Sequence, residues 1–211
     1  MTLQDSKILS THTLKKSLEA LGTVQLSNNH LEAVIQSYCE SQRHYHTLQH
    51  IAECLDSLSE YASIANHYDE VCIALWMHDL VYNPRAKNNE LQSAQKSTAL
   101  MQEAGISQKS CEQVYQHIMA TVTHRNVENK DSCLVMAIDM LILAAKMPRL
   151  LEYETQIRQE YSHVPSIIYR YKRKAVLKGF LKQESIFYVP EISRSYEQKA
   201  RDNIKFLIGK I

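Results

Sequence analysis

Histidines and aspartates occur in this chain where burial costs them most. Seven of its ten histidines (His44, His46, His50, His67, His78, His117 and His124) fall between positions 44 and 124. His78-Asp79 interrupts the apolar run VCIALWMHDLVY, and Asp139 stands alone in CLVMAIDMLILAA. A carboxylate in an apolar interior protonates, finds a cationic partner or binds a metal. Taken singly, each residue has an ordinary reading: Asp79 caps a neighbouring helix, His78 is a hydrogen-bonded core histidine, and Asp139 pairs with an arginine. Taken together, His50, His78, Asp79 and Asp139 make a mixed nitrogen and oxygen set. Such a set suits one divalent ion with exchangeable water: Mn, Fe, Co, Ni, Mg or Zn. It contains no thiolate, which argues against structural zinc. His46 and His50, four residues apart, share a face if the helix has begun by His46. His78 and Asp79 diverge by about 100° on a helix, yet both can reach an ion placed between their directions.

The elements that must position these groups are helical. Only 4 Gly and 4 Pro occur among 211 residues, and apolar positions recur every three or four residues, so an all-α fold is expected. The pattern predicts helices over 13–21 with Gly22 as stop, and 29–39. Another runs from the polar histidine-rich segment to about 66, and a nearly all-apolar central one covers 69–81. Further helices are predicted from Asn88 or Asn89 to Ala104 with Gly105 as stop, from Ser107 to about 123, and over 131–145. Pro148 and Pro165 open helices to about 161 and 183, and a last helix follows Ser193, with Glu197, Arg201 and Lys205 spaced for exposed pairing. No repeat or linker is visible. One domain over 1–211 is expected, with a metal-site core at about 43–145 and C-terminal helices at about 148–209.

Charge excludes some functions. With 24 Lys+Arg against 23 Asp+Glu, no general field favours nucleic acid or a membrane surface. The basic run YRYKRKAVLK (169–178) reads as a solvated helix face. Five cysteines without a C-x-x-C spacing read as reduced thiols, and MTLQDSKILSTHTLKK lacks a signal-peptide core. A cytoplasmic protein that does not span a membrane is expected, and an exposed apolar face would let it form a homodimer.

The order His50, His78-Asp79, Asp139 resembles the H…HD…D signature of the HD superfamily of metal-dependent phosphohydrolases. The wider wording is similar to a small bacterial group of predicted HD phosphohydrolases. It lies in RHYHTLQHI (43–51), ALWMHDLVY (74–82), NELQSA (89–94), TVTH (121–124), AIDMLIL (137–143), IRQEY (157–161), RKAVLKGFL (173–181) and EQKARDNI (197–204). The resemblance implies an HD-type helical bundle with additional C-terminal helices. It also implies hydrolysis of a phosphate ester in a small, nucleotide-like substrate by metal-activated water. YHTLQH is similar to the YHNxxH element of cyclic-nucleotide phosphodiesterases, with Thr47 in place of Asn. On that likeness His50 is a ligand and His46 the general acid; the alternative for His46 is to orient a ligand. Glu90 would orient or deprotonate the water, or else serve as a first-turn carboxylate. His124 would line the substrate pocket or reach a second metal. Arg43 would bind phosphate with its planar fork, while Arg158 and Arg173 would neutralise internal acids. Base-sized space is sought near Trp76, Tyr82 or Tyr169. A metal-containing nucleotide sensor is the rival function.

Overall fold

The computed structural model describes residues 3–23, 28–125 and 127–211. The chain is all-α. Among the described residues ten α-helices follow in order: α1 (Leu3–Ala20), α2 (Asn28–Ser37), α3 (Leu48–Glu60), α4 (Tyr68–Met77), α5 (Asn89–Glu103), α6 (Gln108–Ala120), α7 (Lys130–Asp139), α8 (Met147–Glu160), α9 (Ser166–Lys182) and α10 (Pro190–Lys210). A short 3-10 helix, Met140–Ala144, joins α7 to α8. No described helix is long and apolar enough to cross a membrane.

Helix α4 is the hub. Val71 to Met77 are all without solvent exposure, because α1, α3, α5, α6 and α7 all pack around them. Each large aliphatic side chain buried there contributes roughly 1.5–3 kcal/mol. Trp76 lies in this core against the edge of Tyr38, so it offers no surface to a ligand. Asp131 of α7 caps the hub's start, accepting the backbone N–H of Asn66 at 2.8 Å and of His67 at 2.9 Å. The apolar cluster runs from Leu14 to Leu207 and takes in the C-terminal helices.

Several helix ends match the sequence pattern. Gly22 and Gly105 adopt φ of 88° and 81°. In each case the following residue donates to a carbonyl five positions back, Thr23 to Leu18 and Ile106 to Met101, which is how a left-handed residue ends a helix. Ser107 caps α6 through its hydroxyl. Other ends differ from expectation. Helix α1 begins ten residues before Thr13, and α3 stops at Glu60, where Tyr61 closes it. The apolar run over 131–145 changes from α to 3-10 after Asp139. The last helix begins at Pro190, whose missing N–H suits a first turn.

Candidate metal centre

Three chain segments meet at one point. His50 projects from the first turn of α3, whose N-cap is Thr47, its hydroxyl accepting the Gln49 N–H at 3.3 Å. Thr and Asn are both good caps, so Thr47 does here what an Asn would do. The helix therefore begins after His46, which lies in the preceding turn and not on the face of His50. His78 is the C-terminal cap of α4, with Asp79 in the turn beyond, so the adjacent pair sits at a helix end and not within it. Asp139 is the last residue of α7.

The donor atoms converge. His50 Nε2 lies 3.2 Å from His78 Nε2 and 3.2 Å from Asp139 Oδ1, and His78 Nε2 lies 3.5 Å from Asp139 Oδ1. His50, His78 and Asp139 thus form a group whose ligand atoms lie within 4.8 Å of one another, and it could hold a metal ion. Asp79 Oδ2 adjoins it, 3.0 Å from His78 Nε2 and 3.8 Å from His50 Nε2. Ligands about 2.0–2.2 Å from an ion, at tetrahedral or octahedral angles, stand roughly 3.0–3.5 Å apart, which all these spacings fit except the 3.8 Å between His50 and Asp79.

The surroundings fix the donors. His78 Nδ1 donates to the Leu75 carbonyl at 2.9 Å, so in the neutral ring the Nε2 lone pair faces the cluster. His124 Nε2 donates to Asp139 Oδ2 at 2.9 Å, leaving Oδ1 for the cluster. His124 achieves this from a φ of 46°, the left-handed region that His tolerates better than bulky residues. The cluster calls for positive charge. Burial alone would lower the His78 pKa, but the Asp79 and Asp139 carboxylates hold it well above the ordinary value. Both carboxyls are held low against burial, chiefly by His78.

Glu160, which sequence reasoning did not nominate, anchors the first histidine. Its Oε2 lies 2.7 Å from His46 Nδ1 and accepts the Tyr82 hydroxyl at 2.7 Å, while Oε1 accepts the backbone N–H groups of His44, Tyr45 and His46. Burial raises this carboxyl, but the His46 hydrogen bond and charge, with the other donors, overcome it and hold it at about 2. His46 stacks on Tyr82 at 4.1 Å, and its Nε2 has no protein partner among the described residues. Burial would lower its pKa, yet Asp79 and then Glu160 raise it. The signal for Glu160 lay in IRQEY, where attention fell on Arg158. Arg158 instead donates to the Tyr161 and Val164 carbonyls, closing the end of α8.

Arg43 is not placed to bind phosphate. Its side chain is fully buried, donating to Glu40 and to the carbonyls of His46, Asp79 and Leu80, between the Tyr38 and Tyr82 rings. It clamps the His46 and Asp79 turns together from behind. Arg173 does neutralise an internal acid, Glu154, at 2.8 Å. The exposed Glu197, Arg201, Lys205 ladder is also revised. Arg201 and Glu197 pair at 2.7 Å half-buried and brace backbone groups of residues 181–187, while Lys205 turns to Asp202. Asn203 donates to the Leu143 and Ala145 carbonyls, steadying the 3-10 helix beyond Asp139.

A cleft of about 380 Å³ opens beside the cluster, and His46, Asp79, Glu90, His124, Lys87 and Tyr161 are among its walls. It unites half of the eight site residues singled out in the sequence: His46, Asp79, Glu90 and His124 face it together. A separate cavity of about 350 Å³ touches His50 and Asp139 from the other side, beside the Glu53–Arg149 ion pair. No family model, curated protein or solved structure matches this chain.

Proposed function

We propose that the chain is an HD-type metal-dependent phosphohydrolase, cleaving a phosphate ester bond of a small, nucleotide-like substrate. One observation carries the reading: the nitrogen and oxygen donors of His50, His78 and Asp139 converge within 4.8 Å, with Asp79 beside them. Asp79 also faces the cleft that receives the Glu160-held His46. His50, His78, Asp79 and Asp139 would hold the ion. When bound, a divalent ion lowers the pKa of water from about 15.7 towards ~7 and polarises a phosphoryl oxygen.

The chain's own groups do the rest. His46 keeps Nδ1–H on Glu160, so in its charged form Nε2–H is directed to the cleft and passes its proton to the departing alkoxide oxygen as the P–O bond breaks. Glu90 accepts a hydrogen bond from the attacking water and orients it. Lys87, on the cleft wall, takes the phosphate-binding part expected of Arg43. His124 keeps Asp139 turned towards the donor group. Five cysteines that form no disulfide among the described residues, four of them buried, suit a reducing compartment such as the cytoplasm.

The test is a panel of nucleotides, cyclic nucleotides and aryl phosphates with Mn, Co, Ni or Mg. The reading expects metal-dependent release of phosphate or nucleotide, reduced about 100-fold or more in His46→Gln. Absence of turnover with every metal contradicts it, and ligand-induced thermal stabilisation without product would favour the sensor.

A further inference from the structure

We infer that a second cavity, continuous with the cleft, seats the distal half of the substrate, and that this half carries a planar ring and at least one further phosphate. The inference rests on the phosphohydrolase reading and names its substrate class. The cavity measures about 550 Å³, within the range of small-molecule sites. It shares Ala86, Lys87, Ile157, Tyr161, Arg173 and Val176 with the metal-side cleft, so one ligand can span both.

The carboxylates are confined to the metal side, while Lys87 and Arg173 border both compartments. The metal side carries Asp79 and Glu90, whereas the second cavity is lined by Arg85, Lys87, Lys172 and Arg173 and by no carboxylate. Arg173 is matched by Glu154, but Arg85, Lys87 and Lys172 make no ion pair among the described residues. With Lys87 serving the phosphate at the metal, Arg85 and Lys172 remain unmatched and favour a further anion in the second cavity. Phosphate suits the guanidinium fork of Arg85 and the point charge of Lys172.

The same walls present flat surfaces. Tyr161 and His163 stack with rings 27° apart and centroids at 6.1 Å, and Tyr169 lines the same cavity. Aromatic faces of this kind accept a nucleobase by stacking. A cavity of bounded size in a chain of near-zero net charge fits a mononucleotide better than a polymer.

The experiment uses the full chain loaded with Mn. Binding of the adenosine, guanosine, cytidine and uridine 3′,5′-bisphosphates, whose 3′-phosphate ester would lie at the metal while base and 5′-phosphate reach the second cavity, is measured by calorimetry, and hydrolysis of these and of 4-nitrophenyl phosphate is followed, for wild type, R85E/K172E and R85K/K172R. The expected result is binding of at least one bisphosphate, weakened about tenfold or more by R85E/K172E and largely kept by R85K/K172R. Hydrolysis of 4-nitrophenyl phosphate, too short to reach these cations, should stay within about twofold. If wild type hydrolyses nothing, the phosphohydrolase reading fails while calorimetry still decides the cavity. The inference is overturned if no nucleoside 3′,5′-bisphosphate binds wild type, if the charge reversal leaves binding unchanged, or if hydrolysis of 4-nitrophenyl phosphate is lost equally.

Discussion

Glu160 Oε2 lies 2.7 Å from His46 Nδ1, joining the end of α8 to a turn 114 residues earlier. The same carboxylate collects three backbone N–H groups of that turn and the Tyr82 hydroxyl, so it sets both the ring's tautomer and the loop that carries it. Glu160→Gln is expected to lower kcat by about 10- to 100-fold and stability by roughly 1–3 kcal/mol, with metal content retained. The pH profile supplies the sign. Glu160 raises the His46 pKa, and the acid works only when protonated. The alkaline limb of kcat should therefore move to lower pH in the variant. An unmoved limb would mean that His46 is not the proton donor.

Arg43 predicts a stability effect, not a binding effect. Removing its buried guanidinium in Arg43→Met leaves the Asp79 and Leu80 carbonyls without their donor, at a cost of roughly 2–5 kcal/mol. Chemical denaturation should show that loss. The affinity of the folded fraction for inorganic phosphate should stay within about twofold, and a much larger fall would return Arg43 to the substrate.

Metal loading should expel protons. In the metal-free chain Asp79 and Asp139 hold the His78 pKa well above its ordinary value despite burial, so an ion competes with a proton there. Mn titrations in two buffers of different ionisation enthalpy should report about one proton released at pH 7, with affinity rising as pH increases. Zero release would contradict the placement of His78 in the ligand set.

His117 offers a pH test away from the site. Burial lowers its pKa to about 4, with Nδ1 2.8 Å from the Ser132 hydroxyl. The unfolded imidazole takes up a proton near pH ~6.5 while the folded one stays neutral, so stability is full above that pH and falls until about pH 4. The stability of wild type relative to His117→Gln should drop by roughly 3 kcal/mol between pH 7 and 4. A pH-independent difference would reject this assignment.

The sequence was most legible where a helix ends on a glycine or buries a charge. Gly22 and Gly105 stop their helices as read, and the apolar runs around His78-Asp79 and Asp139 do form the buried hub and its neighbour. That three ligand segments meet was an inference from residue type, since spacing within a chain says nothing of tertiary convergence. Arg43 misled because a guanidinium suits phosphate and carbonyls equally, and only its enclosure by Tyr38 and Tyr82 separates the two. Glu160 and Asn203 were missed for a related reason: each lies on a polar-looking helix, and its partners are backbone groups far away in the chain. The HD pair was placed inside a helix because MHDLVY continues the apolar pattern, yet the helix ends at Met77 and the His78 side chain caps the Leu75 carbonyl itself.

The central claim is a divalent ion held by His50, His78 and Asp139, with Asp79 beside them, and elemental analysis of the purified chain tests it most directly. Wild type should carry about one divalent ion per chain, and Asp139→Ala and Asp79→Ala, folded by circular dichroism, should lose most of it, since removing a ligand forfeits far more than the 10- to 100-fold cost of losing an orienting neighbour. Metal-free wild type after growth and dialysis with Mn, Fe, Co, Ni and Zn, or unchanged metal content in Asp139→Ala, would contradict the account.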